Sequence, residues 1–321
     1  MITHISKFLW TVTTAMALCL TGCGGSGSGS ADGQTGFLSL GISDGPIDAK
    51  KVCIAFNEVE LKGQGEPFAI DPGGIQNINL LDFQGANAAP LLFNEEVPAG
   101  EYQWLRLGIN AEDGGTGGTG DEPESPLCVG DASYVTLNDN TTHNLHIPSG
   151  AESGLKLING ITIPSNATAN YTAEIDLMLS MREPIVNGMD ARMRPTVRLV
   201  NNIEVGTLTG TVDSGLIPEG ECPTPSVFVF DDTVVPNPID PGDVPGADDP
   251  IATAAVTGQS NPDGTTSYDY TVGFLLAGEY KAAFTCDGET FVPTNGKQAS
   301  IAPQETRTVS FTVDDLPPPP T

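Results

Sequence analysis

Apolar and polar residues alternate in short bursts along this chain, separated by turn residues. Residues 37 to 42, Phe-Leu-Ser-Leu-Gly-Ile, set apolar against small side chains with a period of two, and Asp44-Gly45-Pro46 closes the burst with turn chemistry. Val52, Ile54 and Phe56 share one face of a second strand, whereas Val59 and Leu61 fall out of phase, which predicts a bulge near Asn57. A short apolar segment follows at Ile75 to Asp82. Pro98-Ala99-Gly100 reads as a turn, and Tyr102, Trp104 and Leu105-Arg106-Leu107 as a strand of high β propensity. Tyr134 to Leu137, His143 to Ile147, Gly154 to Ile163, Tyr171 to Met178 and Pro195 to Val200 complete a first set of short segments. A second set opens near Val205, where Thr207, Thr209 and Thr211 alternate with Leu208, Gly210 and Val212. It continues through Ser226 to Phe230, Ile251 to Val256, Ser267 to Phe274, Tyr280 to Thr285 and Thr308 to Val313. No stretch long enough for an ordinary helix keeps helical periodicity with caps. The predicted fold class is therefore all-β, a sandwich or barrel in each half.

The 321 residues suit about two domains. We expect a β-sandwich over 36–204 and a second over 205–314, with an acidic, proline-rich insertion at 231–250 and a disordered Pro-rich tail at 315–321. One short string occurs in both halves: Pro98-Ala99-Gly100-Glu101-Tyr102 is echoed by Leu276-Ala277-Gly278-Glu279-Tyr280. A glycine turn that opens a strand on an aromatic is one local device used twice.

Two family resemblances attach to these residues. Gly36 to Asp44, Val52 to Leu61, Asn79-Leu80-Leu81, Pro98 to Tyr102 with Leu105-Arg106-Leu107, and Arg194 to Val197 together resemble the DUF4382 family. These are bacterial exported and lipoprotein domains with no assigned function, and the resemblance supplies no catalytic residues. Gly206 to Val212, the Leu276–Tyr280 turn and Thr308 to Phe311 resemble the carboxypeptidase regulatory-like, or prealbumin-like, sandwich. That superfamily includes carbohydrate-binding modules.

The first residues carry an address. Lys7, then a mostly apolar run from Phe8 to Leu20, then small residues make a secretory signal whose apolar core is too short to span a bilayer comfortably. Leu20-Thr21-Gly22-Cys23 resembles the lipobox of bacterial lipoproteins. The resemblance implies cleavage after residue 22, a diacylglycerol on Cys23 and acylation of its new amino group. The alternative is an ordinary signal peptide cut at another small residue. Residues 23–35, rich in Gly and Ser, read as a flexible spacer. Gly24 after the cysteine, rather than Asp, resembles the pattern that permits transfer to the outer membrane of a Gram-negative bacterium.

Charge narrows the partners. The formal net charge is −28. Such a surface repels nucleic acid and anionic lipid head groups, so the membrane partner is reached through the acyl chains. Of six cysteines, Cys19 leaves with the signal and Cys23 carries lipid. Cys53, Cys128, Cys222 and Cys286 remain, an even number in an exported chain, which suggests disulfides. Three connectivities are open, and the local pairing Cys53–Cys128 with Cys222–Cys286 gives each domain one bridge. A metal site is the alternative, but no C-x-x-C spacing occurs.

Candidate chemistry is sparse. Gly41-Ile42-Ser43-Asp44-Gly45 fits G-x-S-x-G, but a nucleophile elbow needs a helix behind it and Pro46 follows instead. His143 and His146 would face opposite sides of one strand, which argues against a shared metal. Gly115 to Gly120 fits G-x-G-x-x-G, yet Asp113, Asp121, Glu122 and Glu124 flank it and would repel phosphate, so a mobile loop is expected. The insertion carries Asp231, Asp232, Asp240, Asp243, Asp248 and Asp249, a composition that suits calcium but lacks a D-x-D-x-D-G loop. A solvated flexible loop is the other reading. Trp104 either stacks on a sugar ring or packs at the rim of the core. The expectation is a non-enzymatic, lipid-anchored envelope protein with a binding or structural role and no cofactor, calcium aside. A carbohydrate-binding protein acting through the second sandwich is the alternative, and the expected partners are an envelope protein or a polysaccharide.

Overall fold

A computed structural model describes residues 33–111, 118, 121–148, 154–182, 190–239 and 246–318. The signal segment and Cys23 lie outside the described residues, as do Asp240, Asp243 and most of the glycine-rich run at 115–120. Strands dominate, as the alternation predicts, and the described residues form one compact unit.

The first half is a sandwich of two sheets. One has four strands in the order Val197–Asn201, Thr168–Asp176, Thr35–Gly45, Ala89–Pro98. Its central pair is parallel, Phe37 opposite Thr168 through Gly45 opposite Asp176. The other is larger and centres on Lys51–Lys62, which pairs with Tyr134–Thr136 and then Trp104–Ile109 along one side and with Gln76–Asn79 and then Phe68–Ile70 along the other. Leu38, Leu40 and Ile42 project from the first sheet, and Ile54, Phe56, Leu105 and Leu107 from the second, into one core. The register of Lys51–Lys62 slips between Phe56 and Glu58. This is the bulge expected at Asn57, and it lets Val52, Ile54, Phe56, Val59 and Leu61 all be buried despite the change of phase.

The second half is a sandwich of two four-stranded sheets. One runs Thr257–Ser260, Thr266–Leu276, Val205–Val212, Thr306–Thr308; the other runs Ala252–Ala255, Ser226–Asp231, Gly278–Thr285, Phe291–Ile301. Leu208, Val212, Val227, Val229, Tyr270, Phe284 and Phe311 fill the space between them. Each half holds one disulfide, Cys53–Cys128 in the first and Cys222–Cys286 in the second.

The final strand departs from expectation: it covers Thr306–Thr308, Phe311 makes an isolated bridge to Val212, and Val313–Asp315 is a 3-10 turn. Packed chain also passes the expected start of the tail, because Lys297 pairs with Asp315 at 2.6 Å.

Strands buried on both faces show where the halves meet. Along Thr35–Gly45 the burial alternates as far as Ile42, and then Ser43, Asp44 and Gly45 are all buried. Thr168–Asp176 does the same from Tyr171 onward. The outer face of this sheet is covered at that end by the second sandwich: a Cβ on Gly45 would sit 3.0 Å from Thr253 Oγ1. On the second sandwich, Ser226–Asp231 sends Val227 and Val229 inward and Phe228 and Phe230 outward. The outward pair is buried too, with Phe291 5.5 Å from Phe228 between ring centres, and Met178 of the first sandwich packs against the group. The unbroken apolar run Ser-Val-Phe-Val-Phe is what a strand buried on both faces requires. Phe228→Ala would cost about 3–5 kcal/mol.

Candidate functional site

The junction has a dry side and an open side. The dry side is a group of buried carboxyls. Glu174 and Asp176 point from the outer face of Thr168–Asp176, and Asp44 lies beside them at the end of the opening strand, all three at least nine-tenths buried. Arg198, on the neighbouring strand, pairs with Glu174. Asp176 accepts the hydroxyl of Thr253 from the second sandwich at 3.0 Å and the N–H of Leu179 at 3.1 Å. Asp44 accepts the N–H of Leu177 at 3.2 Å on Oδ1. One guanidinium does not offset three buried carboxyls. Burial pushes Glu174 up to about 7 against the pull of Arg198. It pushes Asp176 up to about 6 against the Leu179 N–H and the Thr253 hydroxyl. Asp44 rises well above the carboxylate range, first through burial and then through the charge of Asp176.

The open side is a cleft of about 670 Å³ lined by both sandwiches. Asp176 links the two sides, because its carboxylate caps the single helical turn Leu177–Ser180 that carries Met178 into the cleft. Met181 and Arg182 follow on an edge strand of the larger sheet. The first sandwich adds Ile47 and Asp48 after the opening strand, and Leu137 to Asp139 from the turn before Thr142–His146. The second sandwich adds Ser226 and Phe228, then Pro238 and Ile239, then the hairpin turn Asp287 to Glu289. Met181 and Phe228 are buried, Ile47, Leu137, Met178 and Ile239 half-buried, and Asp48, Asp139, Asp287 and Glu289 exposed. The floor is thus apolar and the rim acidic, the arrangement of a small-molecule site.

Ser43 of the G-x-S-x-G string is buried and donates to the Phe83 carbonyl at 3.2 Å, and the strand continues through Gly45 with no helix behind it. His143 is buried and His146 half-buried on their strand. Trp104 is half-buried in the first sandwich, with Lys156 Nζ 4.6 Å over its ring. Among the described residues, every aromatic of the second sandwich is buried or half-buried.

Of the insertion's acids, Asp231 ends a strand and accepts the N–H and hydroxyl of Thr233, and Asp249 accepts the N–H of Gly246. Among the described residues no group of three or more His, Cys, Asp or Glu side chains could hold a metal ion. The insertion is packed over its first part, since Val234 and Ile239 lie against the phenylalanine cluster. That corrects the expectation of a free loop there. Asp121, expected as a loop acid, is instead buried and paired with Lys51. Burial opposes its charge, but bonds from Lys51, Tyr134 and Thr136 outweigh it and hold its carboxyl below the usual range.

Residues 35–194 match the family described as "Domain of unknown function (DUF4382)". This chain carries a DUF4382 domain. The match ends before Val197–Asn201, so Arg198 and the second sandwich lie beyond it. The DUF4382 domain therefore supplies one wall of the cleft and the three buried carboxyls. No protein of curated function matches the sequence. Solved structures to which the chain is similar include the Bacillus anthracis TIE protein, with 12% identity, a TM-score of 0.18, and 87% of this chain covered but 34% of that one. The chain thus spans about a third of the length of that protein. They also include the fimbrial anchor protein Mfa2 from Porphyromonas gingivalis, with 12% identity, a TM-score of 0.19, and 82% of each chain covered. At these scores the chains do not superpose as wholes, and neither fold nor function passes from them to this one.

Proposed function

We propose that this chain is a lipid-anchored cell-envelope protein with a non-enzymatic binding role, and that its ligand enters the cleft between the DUF4382 domain and the second sandwich. One observation carries the reading. A cleft of about 670 Å³ has an apolar floor drawn from both sandwiches, and two of the acids on its rim, Asp139 and Asp287, are tied into turns. Such a lining binds and orients but offers no acid–base pair for chemistry. The anchor rests on the leader and on Leu20 to Cys23, and the outer membrane on Gly24. Two disulfides fit an oxidising compartment.

The anchor is tested by intact mass of the protein recovered from membrane fractions. The expected species begins at Cys23 and carries a diacylglycerol and an acyl chain, and Cys23→Ser moves the protein to the soluble fraction. Unmodified wild-type protein in the culture fluid would overturn the anchor. The binding role is tested by pull-down from envelope extracts and by retention on insoluble polysaccharides. We expect no retention on the polymers, since Trp104 is occupied by Lys156 and the second sandwich keeps its aromatics in. Tight retention would replace this reading with carbohydrate binding.

A further inference from the structure

We propose that the cleft takes a small organic cation with an apolar body, a ligand class that rests on the reading of the cleft as a binding site. Size, floor and rim each narrow the class. About 670 Å³ lies within the ~300–1,000 Å³ usual for small-molecule sites and cannot admit a folded partner. The accessible apolar lining is Ile47, Leu137, Ile239 and Met178, with Met181 and Phe228 buried behind it, and it offers aliphatic surface and a polarisable thioether to an apolar body. At the rim, Asp48, Asp139, Asp287 and Glu289 face a single guanidinium, that of Arg182.

Two of these acids are fixed in their charged form by the turns that hold them. The Thr141 hydroxyl and N–H, at 2.6 and 2.9 Å, keep Asp139 below the usual carboxylate range. The N–H groups of Thr290 and Glu289, each at 2.8 Å, do the same for Asp287. The negative rim is therefore built into the hairpins of both sandwiches and persists through mildly acidic conditions. An anion entering this cleft would meet four carboxylates and one guanidinium. A neutral body would gain the floor alone. A cation gains the floor, the rim and the field of a chain whose formal net charge is −28.

The test uses the full acylated chain in lipid nanodiscs, with protein-free discs as blank. Equilibrium dialysis compares three probes that share one apolar body: phenylbutyltrimethylammonium, phenylbutanol and phenylbutyrate. The cation is expected to bind about tenfold more tightly than the alcohol, and the carboxylate more weakly than either. Raising salt should narrow the gap between cation and alcohol, because exposed charges are screened. Glu289→Gln and Asp48→Asn should each weaken the cation by about two- to fivefold, the scale of an exposed charge pair, and leave the alcohol unchanged. Ile239→Ser should weaken all three probes, with the melting temperature confirming that each variant folds. Equal binding of the three probes, all lost in Ile239→Ser, would overturn the cationic class and leave the cleft standing. Binding that Ile239→Ser does not weaken, or no binding by any probe, would overturn the cleft as well.

Discussion

The corners at Pro98–Tyr102 and Leu276–Tyr280 share four residues and one hydrogen bond, but their glycines serve different ends. In each, the tyrosine hydroxyl donates to the carbonyl four residues earlier, at 2.6 Å to Pro98 and 2.8 Å to Leu276. Both rings are buried, and burial raises both phenols. Gly100 has φ 153°, a region L side chains rarely adopt, with open space around it. Gly278 has no such φ; a Cβ there would stand 3.4 Å from the Tyr280 ring. Both glutamates are exposed, and Glu279 accepts the Ser300 hydroxyl at 2.6 Å. The same letters thus close one corner with a backbone conformation that favours glycine and the other with one where a Cβ would fit at ordinary contact distance. What the two share is the tyrosine bond, which ties a strand to the turn that precedes it.

The two sandwiches also differ in what they bury. The first encloses Asp44, Glu174 and Asp176; among the described residues the second buries no carboxyl, only Ser226, Thr253 and Thr285 as polar groups. Their disulfides are nearly matched, with sequence separations of 75 and 64.

The largest test of the comparison removes the bridges in turn. Cys53→Ser with Cys128→Ser, and separately Cys222→Ser with Cys286→Ser, should each cost about 4 kcal/mol in denaturant titrations, because loops of similar length lose similar closure entropy. A difference of several kcal/mol would show that the sandwiches are not equivalent in this respect.

The next effect belongs to the first sandwich alone. Folded-state pKa values raised above the unfolded ones mean that the native state holds protons the unfolded chain releases. The stability tied to these groups is full below the ordinary values of 3.8 and 4.5 and is lost as pH rises through about 6 for Asp176 and about 7 for Glu174. Chemical denaturation should therefore show stability increasing from pH 8 to pH 5, by about 3–4 kcal/mol. Glu174→Gln should flatten the upper part of that slope, and an unchanged slope would remove Glu174 from the account.

The smallest effects separate the two corners. Gly100→Ala should cost about 1–3 kcal/mol from backbone strain, and Gly278→Ala less than about 0.5 kcal/mol. Tyr102→Phe and Tyr280→Phe should cost about 1 kcal/mol each, as a lost hydrogen bond does. Equal glycine costs, read from thermal melts, would contradict the contrast in backbone conformation.

Much of the framework is legible along the chain because the period of two reports directly which face a side chain takes. The phase change between Phe56 and Val59 gives the bulge for the same reason. The strand Phe291–Ile301 escapes this reading: Pro293 and Asn295-Gly296 interrupt it with residues that elsewhere mark turns. Ala89–Pro98 escapes it too, because Asn94, Glu95 and Glu96 leave its outer face in solvent with no alternation to follow. The junction is hidden for a deeper reason. Glu174 and Asp176 stand at the positions where an exposed strand face carries acids, and only the arrival of Thr253 and its sheet from far along the chain makes them interior. The cleft is likewise assembled from separate turns and strand positions between Ile47 and Glu289, none of which has a motif of its own. Its one local trace is the Ser-Val-Phe-Val-Phe run, whose second set of phenylalanines asks for a second buried face.

The opening strand pairs in parallel with Thr168–Asp176 over Phe37 to Gly45 and meets the second sandwich at its far end. A pull that enters at Thr35 and is resisted at Gly45 runs along the strand, so the rungs of the ladder share the load in shear instead of parting one after another like a zipper. In the proposed anchored form, that geometry would place mechanical endurance at the first strand after the anchor.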